Sequence, residues 1–114
     1  MANTFKLVTK AGVTSSDVIY TPDSVTTVIL GLILGNTTSS QVTATVSLAS
    51  STSNRAGDNN ESNQTVELIT DAPIPAGSSL ELLAGNKVVM ENNDALSVSA
   101  TGSTDVALSI MEIS

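Results

Sequence analysis

A two-residue period constrains this chain more than any other feature. Across residues 41–49, Val42, Ala44, Val46 and Leu48 alternate with Thr43, Thr45 and Ser47. Successive side chains take opposite faces only in an extended strand, so this segment reads as a strand with one apolar face and one hydroxyl-bearing face. The period recurs at residues 96–100 and 106–112, where Leu96, Val98, Ala100, Val106, Leu108 and Ile110 are expected to point inward. The link at 101–104 is predicted to close these two segments into a hairpin. Residues 80–84 and 87–90 flank Gly85-Asn86, a pair that accepts positive φ, which predicts a second hairpin or a sharp strand bend. Residues 3–9, 17–20 and 64–70 complete the strands, with turns at 10–16, 21–24 and 71–79. The fold class is therefore all-β, a single antiparallel β-sandwich or jelly roll of about eight or nine short strands. A chain of 114 residues supports one domain, taken as 1–114 with a polar loop at 50–63.

Two stretches break the alternation. In residues 25–35 (VTTVILGLILG), Val28, Ile29, Leu30, Leu32, Ile33 and Leu34 occupy both faces of one strand. Something other than water has to cover the second face, either a loop or the curved partner sheet, or a neighbouring subunit. The expected interface residues are Val28, Leu30, Leu32 and Leu34. The other stretch, residues 50–63, has no aliphatic side chain beyond Ala56 and reads as a protruding tip between two strands.

Composition then removes most chemistry. The chain has no Cys and no His, which excludes disulfides, thiol nucleophiles and the commonest general base and metal ligand. Ser and Thr abound, but no Gly-x-Ser-x-Gly elbow is present, and a serine nucleophile needs an adjacent base. Glu91, Asp94 and Asp105 could in principle supply paired carboxylates for glycoside hydrolysis. A sugar cleft usually has aromatic walls, however, and aromatics make up 2% of this chain. Asp58-Asn59-Asn60-Glu61 gathers oxygen ligands without the alternating spacing of a calcium loop, so it reads as solvated turn chemistry. No enzyme activity, cofactor or metal is expected. The few aromatics, Phe5 and Tyr20, are read as core or interface anchors. The net charge is −7, and Lys6, Lys10, Arg55 and Lys87 are scattered, which offers nothing to a phosphate backbone, so nucleic acid is not an expected partner. The apolar run at 25–35 is far short of the roughly 20 residues that span a bilayer as a helix, and no secretory signal is apparent, so no membrane partner is expected.

The second half carries a pattern of strands and turns: Ala72-Pro73-Ile74-Pro75-Ala76-Gly77-Ser78-Ser79, then residues 80–90 (LELLAGNKVVM), then residues 105–113 (DVALSIMEI). With the Asn36-Thr37-Thr38-Ser39-Ser40 entry into the Val/Thr alternation, it resembles small β-sandwich virion structural proteins of tailed bacteriophages of the marine and cyanobacterial type. The resemblance implies a scaffold without reactive residues. It further implies a capsid decoration subunit, or alternatively a tail, baseplate or fibre-attachment component whose 50–63 tip contacts the host surface. Partners would be the major capsid protein or other virion proteins and further copies of the chain, with edge strands or residues 1–10 augmenting capsid sheets. The place implied is the virion, after synthesis in the host bacterial cytoplasm.

Overall fold

A computed structural model describes residues 3–51, 64–83 and 87–113. Among the described residues there are nine strands: β1 (Asn3–Val13), β2 (Asp17–Tyr20), β3 (Thr26–Asn36), β4 (Val42–Ala49), β5 (Thr65–Ile74), β6 (Ser79–Leu82), β7 (Val88–Met90), β8 (Ala95–Ala100) and β9 (Thr104–Ile113). One sheet runs β1-β9-β3-β6, with β7 also paired to β3, and the other runs β2-β8-β4-β5. The pairs whose registers define the fold are antiparallel. β6 and β7 lie end to end along one edge of β3, opposite Leu32 to Gly35 and opposite Thr27 to Ile29 respectively. Counted as one interrupted strand, they complete a set in which first pairs with last, second with second last, and so inward. That nesting is a jelly roll.

The inward residues follow from the period. Val42, Ala44, Val46 and Leu48 are buried, as are Leu96, Val98, Ala100, Val106, Leu108 and Ile110. They meet Ile29, Leu32, Leu34, Ile74 and Met90 in one apolar cluster between the sheets.

Strand partners differ from the local expectation in two places. β8 and β9 do not form a hairpin: β8 pairs with β2 and β4, and β9 with β1 and β3. Both strands carry an inner face dominated by aliphatic residues, Leu96, Val98 and Ala100 on β8 and Val106, Leu108 and Ile110 on β9, and placing them in opposite sheets lets those faces pack against each other instead of lying side by side. The link is an arch across the sandwich. β6 and β7 likewise do not pair with each other; their connection includes residues 84–86, outside the described residues.

Two predicted turns, 10–16 and 71–79, are strand over 10–13 and 71–74. β1 continues past Thr9 to Val13 through a register shift after Lys10, where Gly12 has φ 68° and donates its N–H to the Asp105 carboxylate at 2.9 Å. A side chain would be strained at that φ, so the glycine permits the bulge. β5 continues past Thr70 to Ile74, with Asp71 at φ 48° and register shifts against β4. Pro73 is tolerated because β5 is an edge strand.

Candidate interaction surface

β3 resolves the problem of the two-faced apolar run. Its register against β9 shifts between Ile29 and Gly31, so one extra residue switches the inward set. Thr27 and Ile29 are buried before the shift, and Leu32, Leu34 and Asn36 after it. The four expected interface residues therefore do not share a face. Leu32 and Leu34, at 1% and 0% exposure, are core residues and offer nothing to a partner in this packing. Leu30 lies at the shift and is half-buried, and Val28 is half-buried in the outer face of the sheet.

Around Val28 the ladder assembles a surface from four strands. Phe5 lies opposite Met111, Met111 opposite Val28, and Val28 opposite Val89. Directly opposed residues share a face, so these four side chains form one apolar row across β1, β9, β3 and β7. The next row is Leu7, Ser109 and Gly31, and the one after that is Thr9, Ala107, Ile33 and Glu81. Phe5 is 71% exposed and Leu7 66%, with Val89 and Ile33 also open to solvent. The first two rows contain no charge. Beside them a shallow groove of about 340 Å³ is lined by residues including Thr9, Lys10, Ile33, Gly35, Asp105 and Ala107.

Sequence reasoning missed Leu7, Ile33, Val89 and Met111 as surface residues. Phe5 was expected to anchor a core or an interface, and in the monomer it anchors no core. The signal was faint: Phe5 and Leu7 share one parity and Val8 has the other, so the segment did not say which face was inward.

Tyr20 has a different role. Its hydroxyl donates to Glu112 Oε2 at 2.7 Å and lies 2.7 Å from Thr27 Oγ1, while Lys6 Nζ is 2.8 Å from Glu112 Oε1. Because the tyrosine proton points to the carboxylate, the threonine hydroxyl is the donor to tyrosine. The group ties β2 of one sheet to β1, β3 and β9 of the other. Burial pushes the Tyr20 phenol up to about 12, with the Thr27 hydrogen bond opposing and Glu112 reinforcing the rise. Hydrogen bonds from Lys6 and then Tyr20 hold the Glu112 carboxyl below its ordinary value. This is a strut with a protonated phenol, not an activated nucleophile.

The carboxylates considered for sugar chemistry are likewise structural in their contacts. Asp94 is buried and accepts the N–H groups of Ser51 at 2.7 Å and Glu91 at 3.0 Å. Glu91 accepts the Thr26 hydroxyl, and Asp105 accepts Gly12. Buried Asn36 donates to the carbonyls of Ser40 and Ile74 and accepts from Thr38, pinning the turn after β3. Among the described residues no group of three or more His, Cys, Asp or Glu is placed to hold a metal. The Asp58 to Glu61 cluster and nearly all of the 50–63 tip lie outside the described residues. Among those residues no helix is long and apolar enough to cross a membrane.

No family model and no curated protein matches this chain. Among solved structures it is similar to a chain from Bacillus endospore appendages, described as a novel family of disulfide-linked pili. The identity is 11%, the TM-score 0.44, and the alignment covers 96% of this chain and 85% of the other. A likeness that remote carries no argument about function.

Proposed function

We propose that this chain is a non-enzymatic structural subunit of a tailed-bacteriophage virion, a capsid decoration protein that binds between capsid proteins in many copies. The observation that supports the reading best is the apolar row Phe5, Met111, Val28 and Val89, exposed at Phe5 and Val89 and half-buried between them, on a sheet whose other face already fills the core. The phage setting rests on the sequence resemblance alone. The major capsid protein is the proposed partner for this face, and the virion the proposed location.

The mechanism is burial. Four strands about 4.8 Å apart and roughly 27 Å long give a flat footprint on the order of 500 Å². Specific interfaces usually take roughly 800 Å² from each partner, so a single contact of this face would be modest. Repetition around a shell multiplies it by avidity, and the two uncharged rows of the face leave no buried charge to compensate, with Glu81 in the row beyond them.

The test is co-sedimentation of the purified protein with emptied mature capsids and, in parallel, with isolated tails. Saturable binding to capsids is expected, and Val28→Asp is expected to reduce it at least tenfold. Binding confined to tails would move the subunit to the baseplate or fibre apparatus, and binding to neither would overturn the virion reading.

A further inference from the structure

Four strand edges bound the two sheets, and three of them are blunted. β2 has four residues and a register shift between Val18 and Tyr20. β6 and β7 are two short pieces. β5 carries two register shifts, a positive-φ Asp71 and Pro73. Short, bulged or proline-bearing edges resist pairing with another strand. Among the described residues β1 is the exception: from Asn3 to Lys10 its register against β9 is unbroken, it has no proline, and its outer side has no strand. Phe5 and Leu7, the two most exposed large apolar side chains among the described residues, both lie on it.

We propose that β1 pairs with β1 of a second copy, antiparallel and centred on Leu7, joining two outer sheets into one continuous sheet. The charges select the register. Opposed residues must share a face, so a two-fold pairing can be centred only on a residue. Centring on Lys6 sets Lys6 against itself, and centring on Val8 sets Lys6 against Lys10, both like-charge oppositions. Centring on Phe5 shortens the ladder, and centring on Thr9 runs it into the Gly12 bulge. With Leu7 at the centre, Phe5 faces Thr9, Lys6 faces Val8 and Thr4 faces Lys10.

That register avoids every direct like-charge opposition and leaves Lys6 diagonal to Lys6 and Lys10 of the other copy, at about 8 Å. Thr4 is the ladder neighbour of Glu112, so Lys10 of each copy comes within about two strand spacings, ~10 Å, of Glu112 of the other. The two Lys10 side chains are kept roughly 20 Å apart, beyond the Debye length at physiological salt. On the outer face Leu7 meets Leu7, so the Leu7 rows of the two copies join, and each Phe5 row continues into the other copy's Thr9 row. A strand of another protein would need its own match to this pattern, whereas a second copy supplies it by symmetry. This self-contact deepens the structural reading above, yet it rests on edge geometry and stands or falls without any capsid.

The experiment uses the full chain, which has no native Cys. Sedimentation velocity at micromolar concentration is expected to give twice the 11.6 kDa of one copy. Leu7→Cys places two sulfurs on residues directly opposed at about 4.5–5.5 Å between Cα atoms, inside the disulfide range, and is expected to crosslink to a dimer under mild oxidation. Thr9→Cys, on the same face, lies about 13 Å from its own copy and is expected to stay uncrosslinked. Leu7→Lys, at a site exposed enough to leave the fold intact, is expected to return a single-copy mass. A single-copy mass for the unmodified chain overturns the proposal, as does a dimer in which Leu7→Cys fails to link or Thr9→Cys links equally.

Discussion

Single residues in this molecule are held by close approach and by hydrogen bonds that cross the sandwich. Gly102, in the arch between β8 and β9, leaves no room for a side chain: an added Cβ would fall 2.7 Å from a Val42 methyl. Val42 is buried and β-branched, so it has little freedom to move aside. Gly102→Ala is expected to destabilise the fold by about 1–3 kcal/mol, the range for overpacking, as read from the urea midpoint. Tyr20 is the single tyrosine, so its ionisation can be followed directly by ultraviolet absorbance. Its folded-state value is raised above the ordinary 10, so the unfolded chain loses this proton first as pH rises. The strut's contribution is therefore complete below pH 10 and is lost between 10 and about 12. Glu112 acts in the opposite direction: with its value lowered, its contribution is present above the ordinary carboxylate range and is lost as pH falls through the folded value. Tyr20→Phe is expected to abolish the alkaline step in thermal stability. It should also cost about 1–3 kcal/mol at neutral pH, because the hydroxyl of fully buried Thr27 loses its acceptor.

At the level of elements, β3 separates what a sequence can reveal from what it cannot. Its apolar residues on both parities were visible. The bulge between Ile29 and Gly31 was not, because the switch of faces is set by pairing with β9 rather than by any local signal. Leu32→Asp is consequently expected to abolish the cooperative unfolding transition, since it buries an unpaired charge. Val28→Asp is expected to keep that transition and lose only association, and circular dichroism during urea titration separates the two. Alternation told correctly which residues of β4, β8 and β9 face inward, because a strand's period is local. It did not tell which strands are partners. In a jelly roll the pairs are nested, so β1 waits for β9 and β2 for β8, and short links such as the β8–β9 arch mimic hairpins. β1 and β5 outran their predicted ends for a related reason. Gly12 and Asp71 look like turn residues but serve as bulges that let an edge strand follow its partner.

The whole molecule combines an outer face whose Phe5 and Leu7 rows carry no charge with a net charge of −7. Those two properties oppose each other when copies crowd together. The contact gains from removing apolar area from water, a short-range effect that moderate salt leaves in place. Repulsion between acidic copies acts over longer distances and is screened, with a Debye length of about 10 Å at 0.1 M salt and about 3 Å at 1 M. A subunit held to its neighbours by the Phe5 to Val89 row should therefore pack to higher occupancy as ionic strength rises. A subunit recruited by charge steering would be released instead, since its attraction is the screened quantity. The number of copies bound per capsid, measured by co-sedimentation at low and high sodium chloride, is expected to increase with salt for the unmodified chain. With Val28→Asp it should stay low at every concentration, because screening a charge does not restore the apolar contact beneath it. A fall in occupancy with salt would assign the attachment to the acidic surface and remove the outer sheet from the contact.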